Sequence, residues 1–294
     1  AVVKNNYLIG RGANDMKSSI ACFLAAVSIF LKNKKKFNGS LSFLITGDEE
    51  AQAINGTKKV VDYLIKKKEK IDFCIVGEPT NPNKLGEMIK IGRRGSLSCN
   101  LELQGTQGHV AYPHLSNNPI NSLITICEKL KKKPLDKGNK HFQPSNLEFT
   151  RIDVDNKAHN VIPARVKTQF NIRYNNFHTA VSLKKMINAE VKSICKKNKI
   201  KYKIEFLTSG NSFLTKPGAT IQMAKKVINK ITKIKPVFST TGGTSDARFI
   251  KKISPCLEFG LVNKTMHRVD ESVSLPDLKK LKKIYLSIIE NYFI

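Results

Sequence analysis

Short, wholly apolar runs that alternate with helix-length amphipathic segments set the first limit on how this chain can fold. In the N-terminal third, "SSIACFLAAVSIFLKN" repeats its apolar residues at helical spacing and "GSLSFLIT" reads as a buried strand. "GTKKVVDYLIKKKEK" follows as an amphipathic helix and "IDFCIVGEP" as a second buried strand. Strands that are apolar on both faces and separated by helices imply a largely parallel sheet covered on both sides. Ligands collect at the carboxyl ends of such strands, so "GDEE" and "GEP", each at a strand end, are expected on the same rim. The middle of the chain differs: strand, helix, two strands, helix and strand follow one another from "RRGSLSCNLELQG" to "KYKIEFLTSG", the order of a ferredoxin-like α+β unit. After "FLTKPG" the helix–strand alternation resumes. The expected architecture is therefore α/β, with a catalytic domain over 1–94 and 210–294 and a small α+β domain inserted over 95–209.

Composition narrows the class. The chain has 294 residues, is 40% hydrophobic and 25% charged, and carries a formal net charge of +28. These proportions are those of a globular protein. The apolar run 18–31 falls short of the roughly 20 residues that span a bilayer, so no membrane segment is expected. The start shows no signal-peptide pattern and no Met. Basicity raises nucleic acid as a partner, but only eight of the 51 basic residues are Arg, and no aromatics interleave the Lys runs. Arg dominates specific phosphate and base contacts, and stacking needs aromatics; weak attraction to polyanions is all that is expected. The six cysteines are scattered and mostly in apolar runs, as free thiols in a reducing cytoplasm would be.

A few residues stand out against this background. Asp15 in "GRGANDMKSS" precedes a helix, where an N-cap is the plainest use of Asp. Asp48, Glu49 and Glu50 are adjacent, which costs little only if they are solvated or if a cation sits among them. Glu78 lies in "IVGEPTNP" and His267 in "NKTMHRVDES". Carboxylates at strand ends with one His form the oxygen- and nitrogen-rich set that suits zinc in a hydrolytic site. Such a site also needs one carboxylate free of the metal to take a proton from water, a division that neighbouring glutamates offer.

Nine segments in order, "GRGANDMKSS", "LITGDEEAQAINGT", "VGEPT", "GRRGS", "QGHVAYPHLSNNPI", "NVIPA", "FLTKPG", "GGTSDARFI" and "MHRVDE", resemble the M20 metallopeptidase family of dinuclear zinc amidohydrolases. "GRRGS", "GHVAYPHLSNNP" and "FLTKPG" resemble the branch that hydrolyses N-succinyl-L,L-diaminopimelate to succinate and L,L-diaminopimelate, a step toward lysine and peptidoglycan. The resemblance implies two Zn2+ per subunit, with Co2+ as a possible substitute. Asp15 matches the bridging carboxylate, Glu50 and His267 the other ligands of one zinc, and Glu78 a ligand of the second. Glu49 matches the general base and acid. His109 matches a histidine that reaches into the partner's site in a homodimer and stabilises the oxyanion. Arg93, Asn160, Arg173, Gly243, Thr244 and Asn263 match positions that hold the substrate, chiefly its carboxylates. A cytoplasmic homodimer acting on a small dicarboxylate-type molecule is implied.

The second zinc's histidine belongs, in the family, to an "HTD" motif upstream of "GRGA", and that motif does not occur in these 294 residues. The sequence is therefore expected to lack the N-terminal part of the catalytic domain, to expose apolar surface as a result, and to hold one zinc ligand set incomplete. The alternatives are another M20 amidohydrolase, such as an acetylornithine deacetylase or an aminoacylase, and an inactive fragment of the desuccinylating enzyme.

Overall fold

A computed structural model describes residues 1–34, 36–51 and 53–293. Its helices are α1 (Ser18–Asn33), α2 (Thr57–Lys67), α3 (Pro119–Lys131), α4 (Ala180–Lys197), α5 (Ala219–Thr232), α6 (Ala247–Ile250) and α7 (Leu275–Tyr292). The chain divides into two compact units, one of residues 1–92, 214–241 and 245–294, the other of residues 93–213 and 242–244. Residues 242–244 thus group with the second unit, apart from the segments that flank them in sequence.

The first unit is built around α1 and α7. Cys22, Ala26 and Phe30 recur every four residues and so form one buried stripe on α1. Leu281, Ile284, Tyr285 and Ile288 do the same on α7, and the two helices pack together. The Phe23 and Tyr285 rings stack at 3.5 Å, and the Tyr285 hydroxyl, buried among them, donates to the Phe259 carbonyl at 2.7 Å. α7 begins cleanly because Ser274 Oγ accepts the Asp277 amide and proline occupies the first turn. A four-stranded sheet runs in the order Val237–Ser239, Met88–Lys90, Cys256–Glu258, Cys74–Val76, parallel within the outer pairs and antiparallel between the central strands. A second, antiparallel sheet joins both extremities of the sequence: Val2–Lys4 pairs with Tyr7–Ile9, which pairs with Ser272–Ser274.

Two expectations change here. "GSLSFLIT" forms no strand: none of the described strands pairs with residues 40–46, and Phe43, Leu44 and Ile45 are 41%, 42% and 58% exposed. Apolar content favours a strand only where a neighbour supplies the ladder and the cover, and none of the described elements does. The apolar helical stretch is also longer than the run 18–31 suggested. With the turn before it, Ala13–Asn33 is long and apolar enough to cross a membrane by length and composition, although α1 spends its stripe on the core.

The second unit is an antiparallel sheet in the order Lys201–Gly210, Gly95–Gln104, Arg165–Tyr174, Asn146–Asp153, backed by α3 and α4. That is the ferredoxin-like order. Alternate residues of Arg165–Tyr174 are buried, as expected of a sheet covered on one face. All six cysteines of the chain are free, and burial pushes the Cys99 and Cys256 thiols up to about 12.

Tyr174 crosses directly over Gly95, its partner in the register, and its hydroxyl donates to Asn211 Oδ1 at 2.9 Å. A methyl group on Gly95 would sit 2.2 Å from the Tyr174 ring. Gly95→Ala should therefore displace the ring and destabilise the fold by about 1–3 kcal/mol, read from the urea midpoint.

Candidate metal centre

Asp15 sits in the single turn Ala13–Lys17 that leads into α1, and the Asp15–Met16 peptide is cis. It does not cap α1, the plainest use of an Asp at that place: its side chain points away, toward the loop that carries His267. His267 Nε2 lies 3.2 Å from Asp15 Oδ2 and 3.1 Å from Glu50 Oε1. The donor atoms of these three residues all fall within 4.8 Å of one another. Residues 252 and 217 positions apart in sequence thus meet at one point.

The donor set fits a divalent cation. For bonds of about 2.0–2.2 Å, donors around a tetrahedral ion lie roughly 3.3–3.6 Å apart, close to the separations seen. Two carboxylates and an imidazole are also ligands that zinc and its neighbours accept. The electrostatics agree. Burial, then the nearby Glu50, push the Asp15 carboxyl above its ordinary range, while His267 pulls it back. Glu50 and His267 form the open side of the group, each with a half-exposed side chain, while Asp15 is nearly buried.

Glu49 is not one of the three grouped residues. Burial first, then Asp246, Glu50 and Asp15, push its carboxyl up to about 7, with Arg248 opposing. A carboxyl there can take up or release a proton near neutrality, as an acid–base group must. Asp48 has a separate, structural task. Its Oδ2 accepts the amides of Ile54 and Asn55 at 2.6 and 2.7 Å, which closes the 48–55 loop and, with Asn55 first among the causes, holds the carboxyl below its usual range.

Glu78 is not part of the three-residue group. It is 9% exposed and lies two residues beyond Cys74–Val76. A methyl group on Gly77 would come within 2.8 Å of Ser19 Cβ and 2.9 Å of Met16 Cε, so Glu78 emerges beside the Asp15 turn. Asn263 opens a short turn in the same unit, its amide donating to the Asn81 carbonyl at 2.9 Å.

The other expected residues lie in the second unit, at three places. Gly108–His109 pairs with Val161–Ile162, and Asn160 Nδ2 lies 3.4 Å from His109 Nε2. Arg93, nearly buried, donates from Nη1 to the Gly243 carbonyl at 3.3 Å, with Thr244 next in sequence. Arg173 lies opposite Ser96 in the sheet, and burial together with its positive charge lowers the neighbouring Arg94. Arg94 is anchored by Asn146 Oδ1 at 2.9 Å.

Sequence reasoning passed over Arg94, Asp246 and Glu271. Each lies inside a segment quoted above, "GRRGS", "GGTSDARFI" and "MHRVDE", but nothing local distinguishes a buried acid or a paired arginine from a surface one.

Residues 1–291 match the profile of peptidase family M20/M25/M40. The chain is 65% identical over 291 residues, 99% of its length and 76% of the relative's, to the succinyl-diaminopimelate desuccinylase of Pelagibacter ubique. Among solved structures it resembles aminopeptidase PepT from Bacillus cereus, with a TM-score of 0.79 at 19% identity over 98% of this chain and 75% of that one. It also resembles a dinuclear metal-binding M20 peptidase from Bacillus subtilis, with a TM-score of 0.67 at 14% identity over 94% of this chain and 72% of that one. At such identities the two structures speak for the fold, while the profile and the Pelagibacter relative speak for descent: the chain belongs to peptidase family M20/M25/M40.

Proposed function

We propose that this protein hydrolyses the succinyl amide of N-succinyl-L,L-diaminopimelate, giving succinate and L,L-diaminopimelate, as a zinc-dependent cytoplasmic homodimer. The observation that carries the reading is the meeting of Asp15, Glu50 and His267, with the proton-accepting Glu49 beside them. The high identity to the Pelagibacter desuccinylase supports the choice of substrate.

Asp15, Glu50 and His267 would hold one zinc, and Asp15 with Glu78 would contribute to a second. When bound, the metal polarises the amide carbonyl and lowers the pKa of the attacking water. Glu49 takes the proton from that water on its carboxylate and returns it to the amide nitrogen, so that the amine leaves neutral. Both proton movements use one group because its affinity for a proton lies near the working pH.

Arg93, Arg173, Asn160, Thr244 and Asn263, with the Gly243 backbone, hold the substrate's carboxylates. Guanidinium groups suit this because they meet a carboxylate with two parallel donors. His109 serves the site of the partner subunit, where a donor aimed at the developing oxyanion acts most strongly in the transition state. Its exposure and its place on a two-stranded ribbon, rather than in a core, are consistent with a residue offered outward. The chain's strong positive charge favours capture of a polyanionic substrate.

Glu49→Gln should lower kcat by about 10²–10⁴-fold while metal content by atomic emission stays unchanged; lost metal with retained turnover would defeat the assignment. His109→Ala should cost about 10²–10³-fold in kcat. Mixing it with Glu49→Gln should restore activity, because a mixed dimer has one site with both groups. N-acetylornithine turned over faster than succinyl-diaminopimelate would overturn the substrate.

The acid–base chemistry also predicts a stability effect. A carboxyl whose folded pKa is raised to about 7 from 4.5 disfavours the fold once it must ionise, so its cost appears as pH rises through that window. In metal-free protein, the Tm advantage of Glu49→Gln over the parent chain should grow from pH 4.5 to above 7. A constant difference would contradict the raised pKa.

A further inference from the structure

Glu271 closes the exposed turn that carries His267, yet its own side chain is only 3% exposed. Its carboxylate is spent on one stretch of backbone. Oε1 accepts the amides of Asn14 and Asp15, each at 2.8 Å, and Oε2 accepts the amide of Gly12 at 2.7 Å. These amides open the turn before α1, where donors have no partner within the helix. The Glu271 carbonyl accepts the Gly10 amide at 2.8 Å as well.

Asn14 carries the connection further. It is fully buried, and its Nδ2 donates to the Val262 carbonyl at 2.8 Å and to Thr265 Oγ1 at 3.1 Å. Thr265 Oγ1 in turn donates to the Ser272 carbonyl at 2.6 Å and accepts the Ser272 amide at 3.2 Å. The loop from Val262 to Ser272 is thereby closed at its base, with His267 at its tip in a left-handed backbone conformation (φ 58°).

We propose that Glu271 is a positioning residue for the cation site: with Asn14 and Thr265 it braces the Asp15 turn against the His267 loop, holding two of the three ligands in place before a cation arrives. Asp15 and His267 sit on separate segments joined through this buried network, and none of its hydrogen bonds involves Glu50. Ligands that must be gathered at the moment of binding lose affinity to ordering and to mutual repulsion; ligands already held do not. Hydrogen bonds behind metal ligands are commonly worth 10–100-fold in metal affinity. The inference rests on the reading of Asp15, Glu50 and His267 as a cation site and is independent of which amide is cleaved.

The test uses Co2+, whose visible bands report coordination geometry. Its dissociation constant is measured by chelator competition for the parent chain, Glu271→Gln, Glu271→Asp and Thr265→Val, alongside the Tm of each metal-free protein. Glu271→Gln should weaken Co2+ binding by about 10–100-fold and alter the visible spectrum. Glu271→Asp, which keeps the acceptor charge, should recover part of both, and Thr265→Val should show a smaller loss. Gly95→Ala, in the other unit, is the control for instability alone and should bind Co2+ as the parent does. Parent-like affinity and spectrum in folded Glu271→Gln would overturn the brace, as would a loss that Gly95→Ala reproduces at equal Tm. Should Glu271→Gln not fold, Thr265→Val decides by the same criteria. Failure of the parent chain to bind Co2+ would overturn the cation site and the brace together.

Discussion

The antiparallel pairing of Tyr7–Ile9 with Ser272–Ser274 is the constraint on which the candidate site depends. It sets Ile9 opposite Ser272, so the chain leaving one strand at Gly10 meets the chain entering the other at Glu271. Asp15 and His267 follow within a few residues on either side. The strands are three residues long and could not stand alone. They persist because α1 and α7, which continue from them, bury matching apolar stripes against each other. Nonpolar helix packing thus determines where two polar groups meet.

The site then works against the charge of the whole. A chain with a net charge of +28 gathers Asp15, Glu49, Glu50 and Asp246 into one neighbourhood, where burial and then the neighbouring carboxylates raise the carboxyls of Asp15 and Glu49. Net charge does not neutralise a local cluster, because solvent screens distant lysines within about a Debye length. Desolvation and near neighbours decide instead. Strain of this kind is characteristic of sites built for a cation and a proton, since the same repulsion that weakens the empty arrangement is relieved when a positive charge enters. Glu271 shows the contrasting solution: a carboxylate buried in the fold and satisfied by three backbone amides, so costing little.

Much of this was legible beforehand. Helical spacing located α1, α2, α4 and α7, alternation located the strands of the second unit, and their order gave the ferredoxin-like arrangement. Residue types and contexts marked Asp15, Glu49, Glu50, Glu78 and His267 as candidates, the resemblance to the M20 family grouped Asp15, Glu50 and His267, and the structure brings those three together. "GSLSFLIT" misled because apolar, β-branched composition records suitability for a strand and not the presence of a neighbour. Glu78, expected at the second zinc and not beside His267, lies outside the three-residue group.

What the sequence determined by itself is local: periodicity, turn chemistry and the kinds of side chain available, because each depends on residues within a turn or two. It thereby indicated the fold class, while the expected chemistry came from the resemblance of nine ordered segments to a known family. Only the tertiary structure decided that Glu271 faces inward to hold the Asp15 turn, that Asp246 lies beside Glu49, and that Asp48 serves its own loop. These are facts about burial and about partners hundreds of residues away. A carboxylate reads the same in a sequence whether three amides or bulk water surround it.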